Sequence, residues 1–132
     1  MTGNIDKIAW ISLREGRLLG VRSKGKELFY FPGGKREPGE TDAETLQREI
    51  HEELSVRIKP ETIDYFATFE AQADGKPEGV LVKMTCYYAD YDGELQPASE
   101  IEELAWLGYA DRDRTSLISR IIFDKLHVMN LV

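Results

Sequence analysis

The stretch GGKREPGETDAETLQREIHEELSV, Gly33 to Val56, sets six glutamates behind two glycines, five of them after a proline-glycine turn, in a chain whose net charge is already −7. Its first half reads as a loop and its second as a helix. Thr41 or Glu40 stands where the helix begins, and Thr41 with Glu44 fits a capping box. At about 100° per residue, Ala43, Leu46, Ile50 and Leu54 form a narrow apolar arc that turns to the core. Glu49, Glu52 and Glu53 share an adjoining stripe at the core's margin, while Glu44 and Arg48 point to the solvent side. Three carboxylates at i, i+3 and i+4 repel one another by roughly a few tenths of a kcal/mol per pair on an exposed helix, and by more where water is excluded. A divalent cation offsets that repulsion. Oxygen ligands without histidine or cysteine point to Mg2+ or Mn2+ over Zn2+. The alternative is a solvated acidic face relieved by Arg48 to Glu52 at i, i+4.

The residues ahead of the helix shift that balance toward a site. Gly33 and Gly34 allow backbone conformations closed to other residues and let a phosphate approach main-chain N–H groups. Lys35 adds a positive charge beside them, and Pro38-Gly39 turns Glu40 back toward the helix start. Together, GKREPGETDAETLQREIHEELSV resembles the Nudix box, G-x5-E-x7-R-E-U-x-E-E-x-G-U with U a bulky aliphatic. Gly34, Glu40, Arg48, Glu49, Ile50, Glu52, Glu53 and Val56 match at the required spacing, and Ser55 stands where the pattern has glycine. That glycine ends the helix in a left-handed conformation, so serine there costs on the order of 1 kcal/mol.

The resemblance implies an α/β fold, the Nudix-type α/β/α sandwich with a mixed β-sheet. It also implies hydrolysis of a nucleoside diphosphate linked to a further group, with Mg2+ (or Mn2+) as cofactor and a small-molecule nucleotide as partner. Metal ions bridge carboxylates and phosphate oxygens and acidify the attacking water. Carried over by position, Glu49, Glu52 and Glu53 are metal ligands with the Gly34 carbonyl, and Glu52 or Glu53 also accepts the water's proton. Arg48 braces the loop and its carboxylates, Glu40 with Gly33 supports the loop or a second metal, and Lys35 meets phosphate. Glu100, in PASEIEELAWL, resembles a loop glutamate that some members use as base or extra ligand, with Glu102 and Glu103 competing for the part. Arg22, at a strand end, is a weaker phosphate candidate beside its reading as an exposed charge.

Outward from the box, IDKIAWISL and RLLGVRS read as strands joined at Arg14-Glu15-Gly16, and ELFYF as a third. TIDYFATFEA and VLVKMTCYYAD form a long hairpin, with Val80, Val82, Met84, Cys86 and Tyr88 on one face and Lys83 and Thr85 on the other. EELAWLGYAD is a short strand. TSLISRIIFDKLHVM is a closing helix capped by Thr115 or Ser116, with Leu117, Ile118, Ile121, Ile122 and Leu126 inward. Phe31 and Trp106 read as core, His51 as an exposed helix residue, and His127 has no evident partner.

Residues 1–132 form one domain, long enough to bury roughly two-thirds of the unfolded surface. With 42% hydrophobic and 31% charged residues the composition is that of a globular protein. The longest apolar runs are strand-sized and no leader opens the chain, so no membrane span or signal peptide is expected and the location is cytoplasmic. Cys86, the one cysteine, reads as a buried thiol. No basic excess exists for nucleic acid or anionic membrane, and a homodimer stays open. The markers of ADP-ribose and dinucleoside polyphosphate hydrolases are absent at Glu70, Ala71 and Gln72. The box and the compact length are similar to the MutT branch, which favours a nucleoside or deoxynucleoside triphosphate pyrophosphohydrolase over an ADP-ribose or nucleotide-sugar pyrophosphatase. A nucleotide-sensing module would have lost its carboxylates, and an isopentenyl-isomerase-like enzyme needs a pocket cysteine that Cys86 does not provide.

Overall fold

The computed structural model describes residues 4–132. Strand β1 (Ile5–Ile11) is the centre of a four-stranded sheet of order β4-β1-β7-β6, with β4 at Gly33–Gly34, β6 at Asp64–Gln72 and β7 at Leu81–Tyr88. The pairing is mixed: β1 runs parallel to β7, Ile5 opposite Val82 through Ile11 opposite Tyr88, while β4 and β6 join antiparallel. A second sheet holds β2 (Leu13–Arg14), β3 (Arg17–Ser23) and β9 (Ile101–Leu107), and β5 (Arg57–Ile58) pairs with β8 (Tyr91–Asp92).

Alternation along β1 divides the core in two. Ile8 and Trp10 pack with Leu46, Ile50 and Leu54 of helix α1 (Asp42–Leu54), whereas Ala9 and Ile11 pack with Ile118, Ile122, Phe123 and Leu126 of helix α2 (Leu117–Val128). A strand covered on both faces suits the apolar run IAWI. The result is the expected α/β/α sandwich.

Several local expectations need correction. IDKIAWISL is not one strand: Ser12 interrupts it, and its carbonyl accepts from the Leu19 N–H at 3.1 Å while the chain passes from one sheet to the other. The hairpin turn is tighter than Arg14-Glu15-Gly16, with Arg14 paired to Arg17 and only Glu15 and Gly16 between, both at positive φ (51° and 75°). ELFYF forms no strand; Phe29 and Tyr30 make single bridges to Thr115 and Val21. On β7 the outward face is also covered at Thr85, which is buried opposite Ile8. In α2, Leu117 and Ile121 face solvent and Phe123 and Ser119 are buried instead. His127 does have partners: its ring stacks on Tyr109 at 3.8 Å and its Nδ1 lies 2.9 Å from the Val132 carbonyl. Cys86 is buried, and burial pushes its thiol up to about 12.

Candidate active site

The glycines press the loop against two elements at once. At Gly33, φ +147°, a Cβ would fall 2.0 Å from the Ile8 carbonyl on β1, and at Gly34 a Cβ would fall 2.1 Å from Glu49 Oε2 on α1. No larger residue fits at Gly33, where the obstacle is backbone, and at Gly34 any side chain would push the Glu49 carboxylate aside. The Gly33 N–H also donates to Glu53 Oε1 at 3.1 Å, so backbone and carboxylate meet where the box begins.

Helix α1 starts as its sequence dictates. Thr41 Oγ1 accepts from the Glu44 N–H and the Glu44 carboxylate accepts from the Thr41 N–H, a reciprocal cap. It ends at Ser55, which takes the left-handed conformation at φ 64°, ψ 19° while its N–H donates to the His51 carbonyl. His51 is exposed.

Arg48 does not point away from the site. Its guanidinium donates to Glu40 Oε2 at 2.7 Å, Glu40 Oε1 at 2.9 Å, Glu49 Oε1 at 2.7 Å and the Lys35 carbonyl at 3.0 Å, with Glu52 Oε2 at 3.6 Å. This fork joins the loop to the acidic stripe. Glu40 completes the brace by accepting from Thr45 Oγ1 and the Glu37 N–H. The Arg48 bond, followed by the Glu37 amide, holds the Glu40 carboxyl down at about 2.

The three stripe carboxylates differ in exposure. Glu53 is 3% exposed, and the side chains of Glu49 and Glu52 are 16% and 53% exposed. Burial above all pushes the Glu53 carboxyl up to about 8, with Glu49 and Glu100 adding to it and the Gly33 amide and Lys7 opposing. Burial likewise raises Glu49 against the pull of Arg48. A buried carboxyl kept neutral by its surroundings is one that a cation would ionise. Among the described residues no three acidic, histidine or cysteine side chains converge on a point. The donors are nevertheless hard oxygens on one helix face beside a glycine carbonyl, and they fit Mg2+ or Mn2+.

A cleft of about 700 Å3 opens beside the stripe. It is lined by Gly33, Gly34, Glu49, Glu53 and Glu100, by Lys7, Lys26, Lys35 and Lys76, and by Tyr30, Met84 and Ile118 among others. Of the three competing downstream glutamates, Glu100 reaches the cleft; Glu102 is exposed and Glu103 pairs with Arg22 at 3.0 Å. Arg22, the strand-end phosphate candidate, is therefore engaged elsewhere, donating also to the Lys26 carbonyl, and does not line the cleft. Phe31 is core at 2% exposure, and Trp106 lies under the Arg14 guanidinium at 4.4 Å. Gln72, at one of the absent marker positions, staples the β6–β7 turn through Pro77 and Gly79 at 2.9 Å each.

Sequence reading missed Lys7 and Tyr30. Lys7 carried a signal, being a lysine at an alternate position between Ile5 and Ala9, both in or against the core. Tyr30 gave none: its place in the cleft lining follows from the non-strand course of 28–32, which sets its hydroxyl 2.6 Å from Ser23 Oγ.

The family profile of the NUDIX domain matches residues 6–124. A CTP pyrophosphohydrolase of Escherichia coli strain K12 is 31% identical over 106 residues, covering 77% of this chain and 74% of the relative. An RNA pyrophosphohydrolase of Yersinia enterocolitica is 24% identical over 112 residues, covering 73% of this chain and 64% of the relative. The crystal structure of a MutT NUDIX hydrolase from Burkholderia pseudomallei superposes with a TM-score of 0.76 at 20% identity, covering 93% and 98% of the two chains. The glycine-rich loop, the arginine-braced glutamate helix and the sandwich that carries them thus have one explanation: the chain belongs to the NUDIX family.

Proposed function

We propose that the chain is a cytoplasmic, divalent-metal-dependent nucleoside or deoxynucleoside triphosphate pyrophosphohydrolase that releases a nucleoside monophosphate and pyrophosphate. The observation that carries this reading is the charge layout of the cleft. Four glutamates and Asp74 share it with four lysines, and among the described residues none of those lysines is in an ion pair. Unpaired cations beside a cation-seeking acidic stripe suit a polyphosphate better than a neutral sugar. The similarity to a CTP pyrophosphohydrolase supports a triphosphate substrate.

Glu49, Glu52, Glu53 and the Gly34 carbonyl would hold the metal. When bound, it supplies charge neutralisation at the phosphate oxygens and polarises water. The other roles belong to the chain. The Glu40–Arg48 brace fixes the loop to the helix, so the stripe is presented in one orientation. Glu52, the exposed member, is reached by solvent and accepts the proton of the water that attacks the phosphorus nearest the nucleoside. Lys35, next to Gly34, meets the departing phosphates. Glu100 lines the same cleft as a further carboxylate, an extra ligand or reserve base.

The test is a Mg2+ assay in 18O-water with nucleoside triphosphates, deoxynucleoside triphosphates, ADP-ribose, nucleotide sugars and a 5′-triphosphate RNA, read by phosphorus NMR. The expected products from a triphosphate are pyrophosphate and an 18O-labelled monophosphate. Orthophosphate as first product, or a tenfold higher kcat/KM on ADP-ribose, a nucleotide sugar or RNA, would overturn the choice of substrate.

A further inference from the structure

Lys7 differs from the other cleft lysines in coming from the central strand β1. The β1–β4 register sets Ala9 opposite Gly33 and Ile8 opposite Gly34; the pairing ends there, with Lys7 just before Ile8 and Lys35 just after Gly34, and both lysines line the same cleft. Like charges brought near one another repel. Lys7 is also half-buried. Burial first, and Lys35 second, draw its pKa below the usual lysine value; Lys76 adds to this while Glu53 and Glu49 oppose it. Its partner on the parallel side, Met84, offers no countercharge, and among the described residues its ammonium is in no salt bridge. By contrast Arg22, Arg36, Arg48, Arg112 and Arg114 each hold a carboxylate. An ammonium withdrawn from water and set beside another is relieved when an anion enters between them.

We infer that Lys7 is a substrate-binding residue that grips, together with Lys35, the terminal phosphates of the nucleotide, the part that leaves as pyrophosphate. This rests on the triphosphate reading above. The acidic stripe takes the reacting phosphorus, Lys35 follows Gly34 directly in the chain, and Lys7 lines the same cleft as Lys35, Glu49 and Glu53, so the two lysines are placed to meet the phosphates beyond the reacting centre. A triphosphate carries more negative charge there than a diphosphate substituted at both ends, and two ammoniums answer that excess. Lys7 is thus a residue that discriminates by phosphate count.

Product inhibition isolates this role, because it uses whichever nucleotide the Mg2+-supplemented full chain turns over. Lys7→Gln should raise the inhibition constant of pyrophosphate by about tenfold, the loss of one charge-assisted contact, while that of the nucleoside monophosphate moves by less than about twofold on the same scale. Lys7→Arg, which keeps the charge, should restore most of the pyrophosphate affinity. The reverse pattern, with monophosphate weakened and pyrophosphate unchanged, would put Lys7 at the nucleoside end and overturn the inference. No change in either would make it structural, with the same consequence. Should Lys7→Gln fail to fold, Lys7→Met, which fills the half-buried stem, gives the same comparison. If the substrate panel shows that triphosphates are not the preferred substrates, the triphosphate reading fails, and the pyrophosphate measurement still decides the role of Lys7.

Discussion

Helices α1 and α2 cover opposite faces of the same sheet but are held by different means. In α1 the Thr41–Glu44 capping box opens the helix and left-handed Ser55 closes it, while its last carbonyls, Glu53 and Leu54, accept from the Ala98 and Gln96 N–H groups. In α2 the N-cap Ser116 makes no side-chain cap bond to the helix backbone. Its first N–H instead donates to Asp74 at 3.0 Å, a residue 43 positions earlier in the β6–β7 turn. The polar faces differ too. That of α1 carries carboxylates turned toward a cleft and tied to a loop by Arg48, while that of α2 carries Asp124, paired with Arg112 at 2.9 Å and with the Tyr109 hydroxyl at 2.8 Å. Both helices pack an apolar face on the sheet, but the start of α1 is fixed by its own capping box and the start of α2 by a distant turn residue.

The sharpest way to break this contrast is to remove charge from each helix in turn. Glu53→Gln should lower kcat by at least about a hundredfold, as expected for losing a metal ligand. The metal-free protein should keep its thermal stability or gain some, because burial and not a cationic partner sets the Glu53 carboxyl. Near-normal turnover in steady-state assays would remove the catalytic role assigned to the stripe.

Next in size is the packing face of α2. Ile122 is fully buried and Ile121 is 42% exposed. Ile122→Ala should therefore cost about 2–5 kcal/mol in urea unfolding, and Ile121→Ala under about 1 kcal/mol. Equal losses would mean that the helix presents another face.

Ser55→Gly probes the local ending of α1. With Ser55 at φ 64°, glycine relieves the left-handed strain and should stabilise the fold by up to about 1 kcal/mol, with activity unchanged. A measured loss of stability would contradict that ending.

The smallest effect concerns pH. Burial tends to raise the Asp124 carboxyl, but the bonds from Arg112 and Tyr109 outweigh it and leave it below the usual value. A carboxyl depressed in the folded state adds stability that is full above its unfolded pKa of about 3.9 and is lost as pH falls through the folded value. Asp124→Asn should therefore lower Tm at pH 7 and bring it together with the parent protein near pH 2, a convergence visible by circular dichroism. A constant gap across that range would show that the pair acts through packing and not charge.

Much of this contrast was legible before any coordinates. The capping box, the Leu46-Ile50-Leu54 arc, the marginal stripe and the helix-ending serine all depend on residues within a few positions of one another, where spacing determines contact. What escaped were consequences of distant chain. Periodicity turned Leu117 and Ile121 inward with Ile118, Ile122 and Leu126, and packing on β6 decides instead that Phe123 and Ser119 turn in while Leu117 and Ile121 turn out. ELFYF has strand composition but is drawn into single bridges with Val21 and Thr115. Helical angle alone turned Arg48 to solvent, while the family resemblance implied a brace to the loop, and its long side chain does reach back to Glu40 there. Lys7 carried a signal in its alternate position between Ile5 and Ala9, but the cleft it lines depends on the two-residue β1–β4 pairing, which is too short to read from sequence.

The central claim is that the α1 stripe is a metal site built for hydrolysis, and Mn2+ binding followed by electron paramagnetic resonance tests it most directly. The full chain should bind Mn2+, Mg2+ should compete for the same site, and Glu49→Gln and Glu53→Gln should each weaken Mn2+ by at least about tenfold. Undiminished Mn2+ binding in both variants would contradict it.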